Sequence, residues 1–483
     1  MYLIDMIFYW ARTDPHRHAL IQPDLITTYR ALAEAIEASA ARIERLQLDR
    51  REPIGISIAN PSYLIAAAFA VLRCGYSVAL VPPALFSLLQ PIGIRNLIYD
   101  AQGLMLSGGR NVRFDQSWIS GAGPASNTTL PPRADRRSAT PDMIFFTSGT
   151  TGLPKKLCQP AAALDKLLNY PFTCASGPDG KILIMPGLST SFGFNRLCEV
   201  FNAGKTACFA ADSGSALRLI DLHRLELAVL SAAQATHLAE TRIAQRGYRT
   251  DSLRAIIVGG GKIDAEVVAN IRATLCRNVL NQYGSTEAGV AGLVPFDLLK
   301  DDAGVILLPW TDLEIVNQTG QRLSVGTEGF VRYRTPQLEE NIKHAGANEV
   351  PGVRDGWFYP GDIGALSGDG VLHLTGRSSD VINRGGVKVS GTRIEEILKT
   401  LPSVKQAAAC GIPGRSGLEE IWIAVVGDRI DREEIDTTLR NHADVGIAPD
   451  EVFLLDELPV GELGKVQKQR LKEILITRKT AAT

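Results

Sequence analysis

The chain has 483 residues, 51 Lys plus Arg against 52 Asp plus Glu, 45% hydrophobic and 21% charged residues. That length implies two or three folding units, and the near-average composition excludes both a peptide-sized module and a disordered chain. A net charge of -1 argues against a nucleic-acid polymer as partner.

The N-terminal segment carries Asp5 and no basic stretch ahead of its short apolar run, so it does not read as a secretory signal. Helix-like periodicity runs from Tyr29 to Leu46. The longest apolar stretch, 63–86, is interrupted by Arg73, Gly75 and the pair Pro82 and Pro83. It reads as a buried helix, Ser62 to Leu72, and a buried strand, Ser77 to Val81, in place of a membrane span. Continuous apolar runs beginning near Pro53, Ser77, Met143, Lys181, Thr206, Ala228, Arg254 and Asn278 have the pattern of strands covered on both faces. Helix-like segments between them include Ala161 to Leu168, Ala216 to Leu222 and Ala265 to Leu275. The alternation predicts an α/β fold of layered, mostly parallel sheets.

Beyond about residue 310 the runs alternate with Gly-rich turns, as in Asp312 to Asn317, Gly329 to Arg334 and Gly370 to Arg377, which predicts a smaller β region. The last hundred residues, with helix-like Arg393 to Leu401 and Arg432 to His442 and a basic tail from Lys468, suffice for a small α+β domain. The boundary falls after Gly376 and Arg377, giving a core of 1–378 and a C-terminal domain of 379–483. Seven scattered cysteines without a C-x-x-C pair predict reduced thiols in a cytoplasmic protein.

The most informative segment follows the apolar strand Met143 to Phe146: Thr147, Ser148, Gly149, Thr150, Thr151, Gly152, Leu153, Pro154, Lys155, Lys156. Its hydroxyls, backbone N–H groups and lysines suit phosphate oxygens, and by composition a solvated Ser/Thr/Gly turn is an equal alternative. No Walker A loop, dinucleotide fingerprint or nucleophile elbow is present.

This string resembles the phosphate-binding signature of the AMP-forming adenylating superfamily, which includes acyl-CoA synthetases, luciferases and peptide-synthetase adenylation domains. Four further motifs resemble that family's in the same order: Tyr283 to Glu287 (YGSTE), Tyr359 to Asp362 (YPGD), Gly376-Arg377 to Glu396, and Gly464-Lys465. The resemblance implies a large N-terminal lobe and a small mobile C-terminal lid. It implies activation of a carboxylic acid by ATP to acyl-AMP and pyrophosphate, then transfer to a thiol, with ATP, Mg²⁺ and coenzyme A, or a carrier-protein phosphopantetheine, as cofactors.

On that resemblance Glu287 is the expected Mg²⁺ ligand, Thr286 lies near the phosphates, and Lys465 contacts the carboxylate and the α-phosphate; Lys468 is its nearby competitor. Two anions 4 Å apart repel by ~4 kcal/mol at an effective dielectric of ~20, so local cations are required. Asp362 is expected to accept the ribose hydroxyls, Tyr283 to stack on adenine, and Arg377 to meet ribose or phosphate. Gly284 belongs to the same motif. Gly259, Gly260 and Gly261 offer close backbone approach to base or acyl group, or simply a tight turn. Gly385 and Gly386 resemble the Gly-rich strand of the thioester site, and Ser379 stands at the hinge, where the family usually has Asp or Lys.

Substrate choice is read from residues 185–200. Gly193 stands where amino-acid-activating relatives have an Asp, which disfavours an α-ammonium, and Thr190 stands where acyl-CoA synthetases commonly have a His. Phe192, Gly193, Gly259 and Val290 are the expected acyl pocket, for an aryl or short- to medium-chain acid. Arg196 either reaches that pocket or lies on a helix surface.

The spacing between Glu287 and Gly361 ranks an acyl-AMP ligase loading an acyl carrier protein below an acid:CoA ligase, and the intact Lys465, Glu287 and Asp362 argue against a catalytically silent binding module. A monomer or homodimer with no membrane span completes the expectation.

Overall fold

The computed structural model describes residues 3–81, 89, 93–100, 106, 108–120, 141–147, 155–168, 176–261, 263, 265–296, 304–346, 349–384, 387–414, 419–427, 431–442, 445–461 and 466–481. The chain forms two compact units. One comprises Met1–Asp301, Leu308–Thr311 and Arg334–Phe358; the other comprises Asp302–Leu307, Asp312–Tyr333 and Tyr359–Thr483.

The first unit is built on two sheets. In one, Arg110–Arg113, Asn96–Tyr99, Ile54–Ser57, Val78–Leu80, Asp142–Thr147 and Lys155–Pro160 lie in that order. All pair in parallel except the last two strands, which are antiparallel. In the other, Gly289–Pro295, Val279–Ser285, Ala255–Gly259, Leu227–Ser231, Lys181–Ile184, Thr206–Cys208, His18–Gln22 and Leu25–Thr28 follow one another, parallel through the middle and antiparallel at both ends. The middle strands Leu227–Ser231 and Ala255–Gly259 are buried at every residue, which is why their sequences are continuously apolar.

The helix Tyr29–Arg45 starts at Thr28, whose side chain accepts from the Ala31 N–H, and buries Tyr29, Leu32, Ala33, Ile36, Ala40 and Ile43. That spacing is one helical face. Tyr29 anchors it by donating to the Lys205 carbonyl at 2.7 Å. The helix Pro61–Arg73, with Asn60 as its cap, is buried on nearly all sides, with Phe69 packed against Phe194 and Phe201. The helix and strand of the apolar stretch, Pro61–Arg73 and Val78–Leu80, are therefore core, as predicted, and among the described residues no helix is long and apolar enough to cross a membrane.

In the second unit Gly329–Arg334 pairs with Asp362–Leu366, which pairs with Val371–Arg377, itself paired with Val305–Leu307. The C-terminal part has a three-stranded sheet, Gln406–Pro413, Glu419–Val426 and Glu451–Leu454, and a hairpin, Val381–Arg384 with Val387–Ser390. Its core gathers Ile394, Ile397, Leu398, Ile421, Ile423, Ile435 and Leu439. The first helix of the C-terminal part is displaced from its predicted bounds: it runs Gly391–Leu398, because Ser390 caps it by accepting from the Arg393 N–H.

Candidate active site

The strand Val279–Ser285 carries the YGSTE motif to the edge of the core and turns back into Gly289–Pro295. Gly284 faces Val290 across this hairpin, just past an irregularity in the ladder. A side chain at 284 would strike the Gly289 backbone, so the close approach itself demands glycine. Tyr283 is half-buried opposite Gly292. Ser285 Oγ accepts from the Ala288 N–H at 3.0 Å, closing the turn that presents Thr286 and Glu287.

The helix Ser191–Asn202 supplies the facing wall. Thr190 is its N-cap: its Oγ1 accepts from the Gly193 N–H at 3.1 Å and donates to the Gly187 carbonyl at 2.7 Å. The Thr190 hydroxyl is thus committed to a cap. Ser191 Oγ donates to Thr286 Oγ1 at 2.8 Å, joining the substrate-choice segment to the YGSTE motif.

Phe192 lies against Gly259, where an added Cβ would meet its ring at 2.6 to 2.9 Å. At Gly193 an added Cβ would sit 2.5 Å from the Gly187 carbonyl oxygen and 2.6 Å from that of Pro186. No side chain fits there, so a carboxylate partner for an ammonium is sterically excluded at this position. Val290 is buried. Gly260 has φ +83° and is exposed, as a tight turn after the strand requires, and nothing lies within 4 Å of a Cβ at Gly261.

Arg196 corrects the helix-surface reading made of it. Its side chain is 3% exposed, so it does not lie on a helix surface, and it pairs at 2.6 Å with Glu199 on its own helix, itself 1% exposed. Burial pushes the Glu199 carboxyl up to about 8, and Arg196 pulls it back by less.

The strand Asp142–Thr147 ends, and Lys155–Pro160 begins, at the phosphate motif, with Thr147 opposite Lys155 in the ladder. Ser148, Gly149, Thr150, Thr151 and Gly152 lie outside the described residues, as do Gly385, Gly386 and Lys465. Ser379 lies in the short 3₁₀ turn Ser378–Asp380.

In the second unit Asp362 and Arg377 are direct partners across a ladder. Arg377 Nε donates to Asp362 Oδ1 at 2.8 Å; the aspartate side chain is 7% exposed and the arginine 42%. Gly361 precedes them at φ +81°, its carbonyl accepting from the Ser378 N–H at 2.7 Å. Tyr359 OH accepts from Arg332 Nη1 at 3.0 Å, and Arg332 also pairs with Glu314.

Lys468 is committed elsewhere. Its Nζ lies 3.0 Å from Asp380 Oδ2 and 2.9 Å from Glu395 Oε1. Burial disfavours the ammonium, but Glu395 and Asp380 outweigh it and raise its pKa. In this arrangement the Lys468 ammonium is paired with two carboxylates.

The sequence reading missed Ser191, Thr335, Gln337, Gly289 and Asn341. Thr335 caps the helix Pro336–Ala345, with Pro at its first turn, by accepting from the Leu338 N–H; Thr-Pro before a helical segment was the available signal.

Among the described residues no group of three or more His, Cys, Asp or Glu could hold a metal. A single carboxylate such as Glu287 beside hydroxyls still fits Mg²⁺, which keeps several waters and takes most of its remaining ligands from substrate phosphates.

The AMP-binding enzyme family matches residues 7–341, and the chain belongs to it. Indoleacetate–CoA ligase of Aromatoleum aromaticum is 28% identical over 99% of both chains. Salicyl-AMP ligase / salicyl-S-ArCP synthetase of Mycobacterium tuberculosis is 29% identical over 74% of this chain, a match spanning 64% of that protein's length. Among solved structures, ATP-bound MatB of Rhodopseudomonas palustris superposes with a TM-score of 0.80 at 21% identity, over 98% of this chain and 99% of that one. An amide bond synthetase of Marinactinospora thermotolerans gives 0.79 at 21% identity over 98% and 99%. At this identity the two structures establish the fold.

Proposed function

We propose that this member of the AMP-binding enzyme family is an acid:thiol ligase, activating an aryl or short- to medium-chain carboxylic acid with ATP and passing the acyl group to coenzyme A. In the first step a carboxylate oxygen bonds to the α-phosphorus and the bond from that phosphorus to the bridging oxygen breaks, releasing pyrophosphate. In the second a thiolate sulfur bonds to the acyl carbon, the bond from that carbon to the AMP oxygen breaks, and the thiol's proton passes to solvent.

The observation that carries this reading is the Ser191–Thr286 bond, which joins the acid-selecting helix to the phosphate-side motif within one unit. Phe192 over Gly259 supplies a flat apolar wall suited to an aromatic or short acyl group. The closed space at Gly193 disfavours an amino acid.

Glu287 would hold Mg²⁺, which when bound offsets phosphate charge. Asp362 would take the ribose hydroxyls, with Arg377 fixing its orientation. The loop from Thr147 to Lys155, with Ser148, Gly149, Thr150, Thr151 and Gly152, would cradle the phosphates, and Gly260, Gly261, Tyr283 and Gly284 would line the nucleotide side. Lys465 would bring an ammonium to the carboxylate and α-phosphate from a C-terminal lid, residues 379–483, hinged at Ser379, with Gly385 and Gly386 leaving room for the pantetheine arm. Several relatives are named for aromatic acids, which supports the substrate class.

A second reading has its own support: the salicyl-AMP relative's name joins it to a carrier protein, so phosphopantetheine on such a protein is the alternative acceptor. AMP release over a panel of aryl and alkyl acids, with coenzyme A or a holo carrier protein as acceptor, tests the choice. Release driven by coenzyme A supports the first reading; release driven only by the carrier protein replaces it with the second.

A further inference from the structure

Three consecutive carbonyls in the turn after the YGSTE strand receive side chains from one helix, Pro336–Ala345, and its cap. Gln337 Nε2 donates to the Thr286 carbonyl at 3.4 Å, Asn341 Nδ2 to the Glu287 carbonyl at 2.8 Å, and Thr335 Oγ1 to the Ala288 carbonyl. Residues 337 and 341 are one turn apart and so share a helix face. All three donors are buried, and Asn341 is fully so.

Gly289 completes the arrangement. It adopts φ +72°, and any Cβ there would collide with the Gln337 amide oxygen. The same helix is fastened near its far end to the phosphate-loop strand, where His344 Nε2 lies 3.0 Å from Asp142 Oδ1. One helix therefore ties the origin of the strand leading to the phosphate motif to the turn from which Glu287 projects.

We propose that this helix is the positioning element of the Thr286–Ala288 turn, and that Asn341 is a positioning residue that sets the backbone from which the Glu287 carboxylate reaches the metal–nucleotide complex. The proposal rests on the reading of Glu287 as a Mg²⁺ ligand. Ordinary fold stabilisation would also place polar donors on buried carbonyls. What distinguishes the two is that a positioning role reaches the metal affinity, as outer partners of metal ligands do by ten- to a hundredfold.

The test uses Mn²⁺ as a spectroscopic substitute for Mg²⁺, titrated by electron paramagnetic resonance into the full-length protein with ATP. Wild type is compared with Asn341→Leu, Asn341→Asp and Glu287→Gln, alongside the Mg²⁺ dependence of pyrophosphate exchange. Asn341→Leu and Asn341→Asp should weaken Mn²⁺ binding about tenfold or more and raise the Mg²⁺ concentration for half-maximal exchange by a similar factor, with KM for the acid changed less than about twofold. Gln337→Met, which removes the longer bond, should shift the same constants in the same direction by less, and it serves where a 341 variant does not fold. Unchanged Mn²⁺ affinity in the helix variants, when Glu287→Gln has lost it, overturns the positioning role. Unchanged affinity in all of them overturns the Glu287 reading and the proposal with it.

Discussion

Ser191 and Thr286, 95 positions apart in the chain, share a hydrogen bond of 2.8 Å between their hydroxyls. It forms because Thr190 caps the helix at its first turn and leaves the next hydroxyl facing the YGSTE turn. A side-chain hydrogen bond of this kind contributes about 1 kcal/mol, roughly fivefold in rate if it is used in the transition state. Ser191→Ala should lower kcat for acyl-AMP formation by about that factor with little change in KM for ATP. In a Thr286→Ala background the same substitution should have almost no further effect. Exchange kinetics on the double-mutant cycle measure the coupling, and simple additivity would show that the two hydroxyls act independently.

Asp362 is held by Arg377 through a charge-assisted hydrogen bond of 2.8 Å. Bonds to charged groups contribute about 1.5 to 3 kcal/mol. Asp362→Ala should therefore weaken AMP binding by roughly ten- to a hundredfold, and Arg377→Ala should weaken it by less. Calorimetric titration with AMP checks both; an unchanged Kd in Asp362→Ala removes the residue from nucleotide recognition.

Lys468 joins Asp380 and Glu395 from a distant part of the chain. Removing the cation leaves two partly buried carboxylates facing each other, and breaking a buried pair costs about 3 to 5 kcal/mol. Because the lysine side chain is 24% exposed, Lys468→Met should destabilise the protein by an amount near the lower end, about 3 kcal/mol. Urea unfolding measures this, and the folded fraction should keep its exchange activity. Lys465→Ala should do the reverse, abolishing acyl-AMP formation while thioester formation from supplied acyl-AMP persists.

Burial raises the Glu199 carboxyl from its ordinary 4.5 to about 8. The folded state thus holds this proton more tightly than the unfolded chain does. The stability that the group contributes is fully present below about 4.5 and is lost as pH rises through about 8. Thermal midpoints of the wild type should fall between pH 5 and about pH 8 more steeply than those of Glu199→Gln, whose amide does not titrate. Parallel curves would mean that Arg196 keeps the carboxylate ionised throughout.

Much of the fold was legible because its signals are local. The helix at Ala161–Leu168 has the predicted bounds, and the continuous apolar strands are the buried central ones. At the candidate site, the Asp362–Arg377 and Phe192–Gly259 pairings bring together residues singled out separately. What escaped depends on tertiary partners. Arg196 and Glu199 at i and i+3 look like any surface ion pair until the helix is placed inside the core. Lys468 looks like solvated charge until Asp380 and Glu395 meet it. Gln337 and Asn341 are ordinary polar residues whose role exists only because their helix lies against a turn about fifty residues earlier in the chain.

The central claim, ATP-dependent activation of a carboxylic acid, is tested most directly by exchange of labelled pyrophosphate into ATP over a panel of aryl, short-, medium- and long-chain acids, without any thiol present. The account predicts exchange that requires Mg²⁺ and one of the aryl or short- to medium-chain acids and disappears in Lys465→Ala. Absence of exchange with every acid, or exchange of equal rate without any acid, would contradict it.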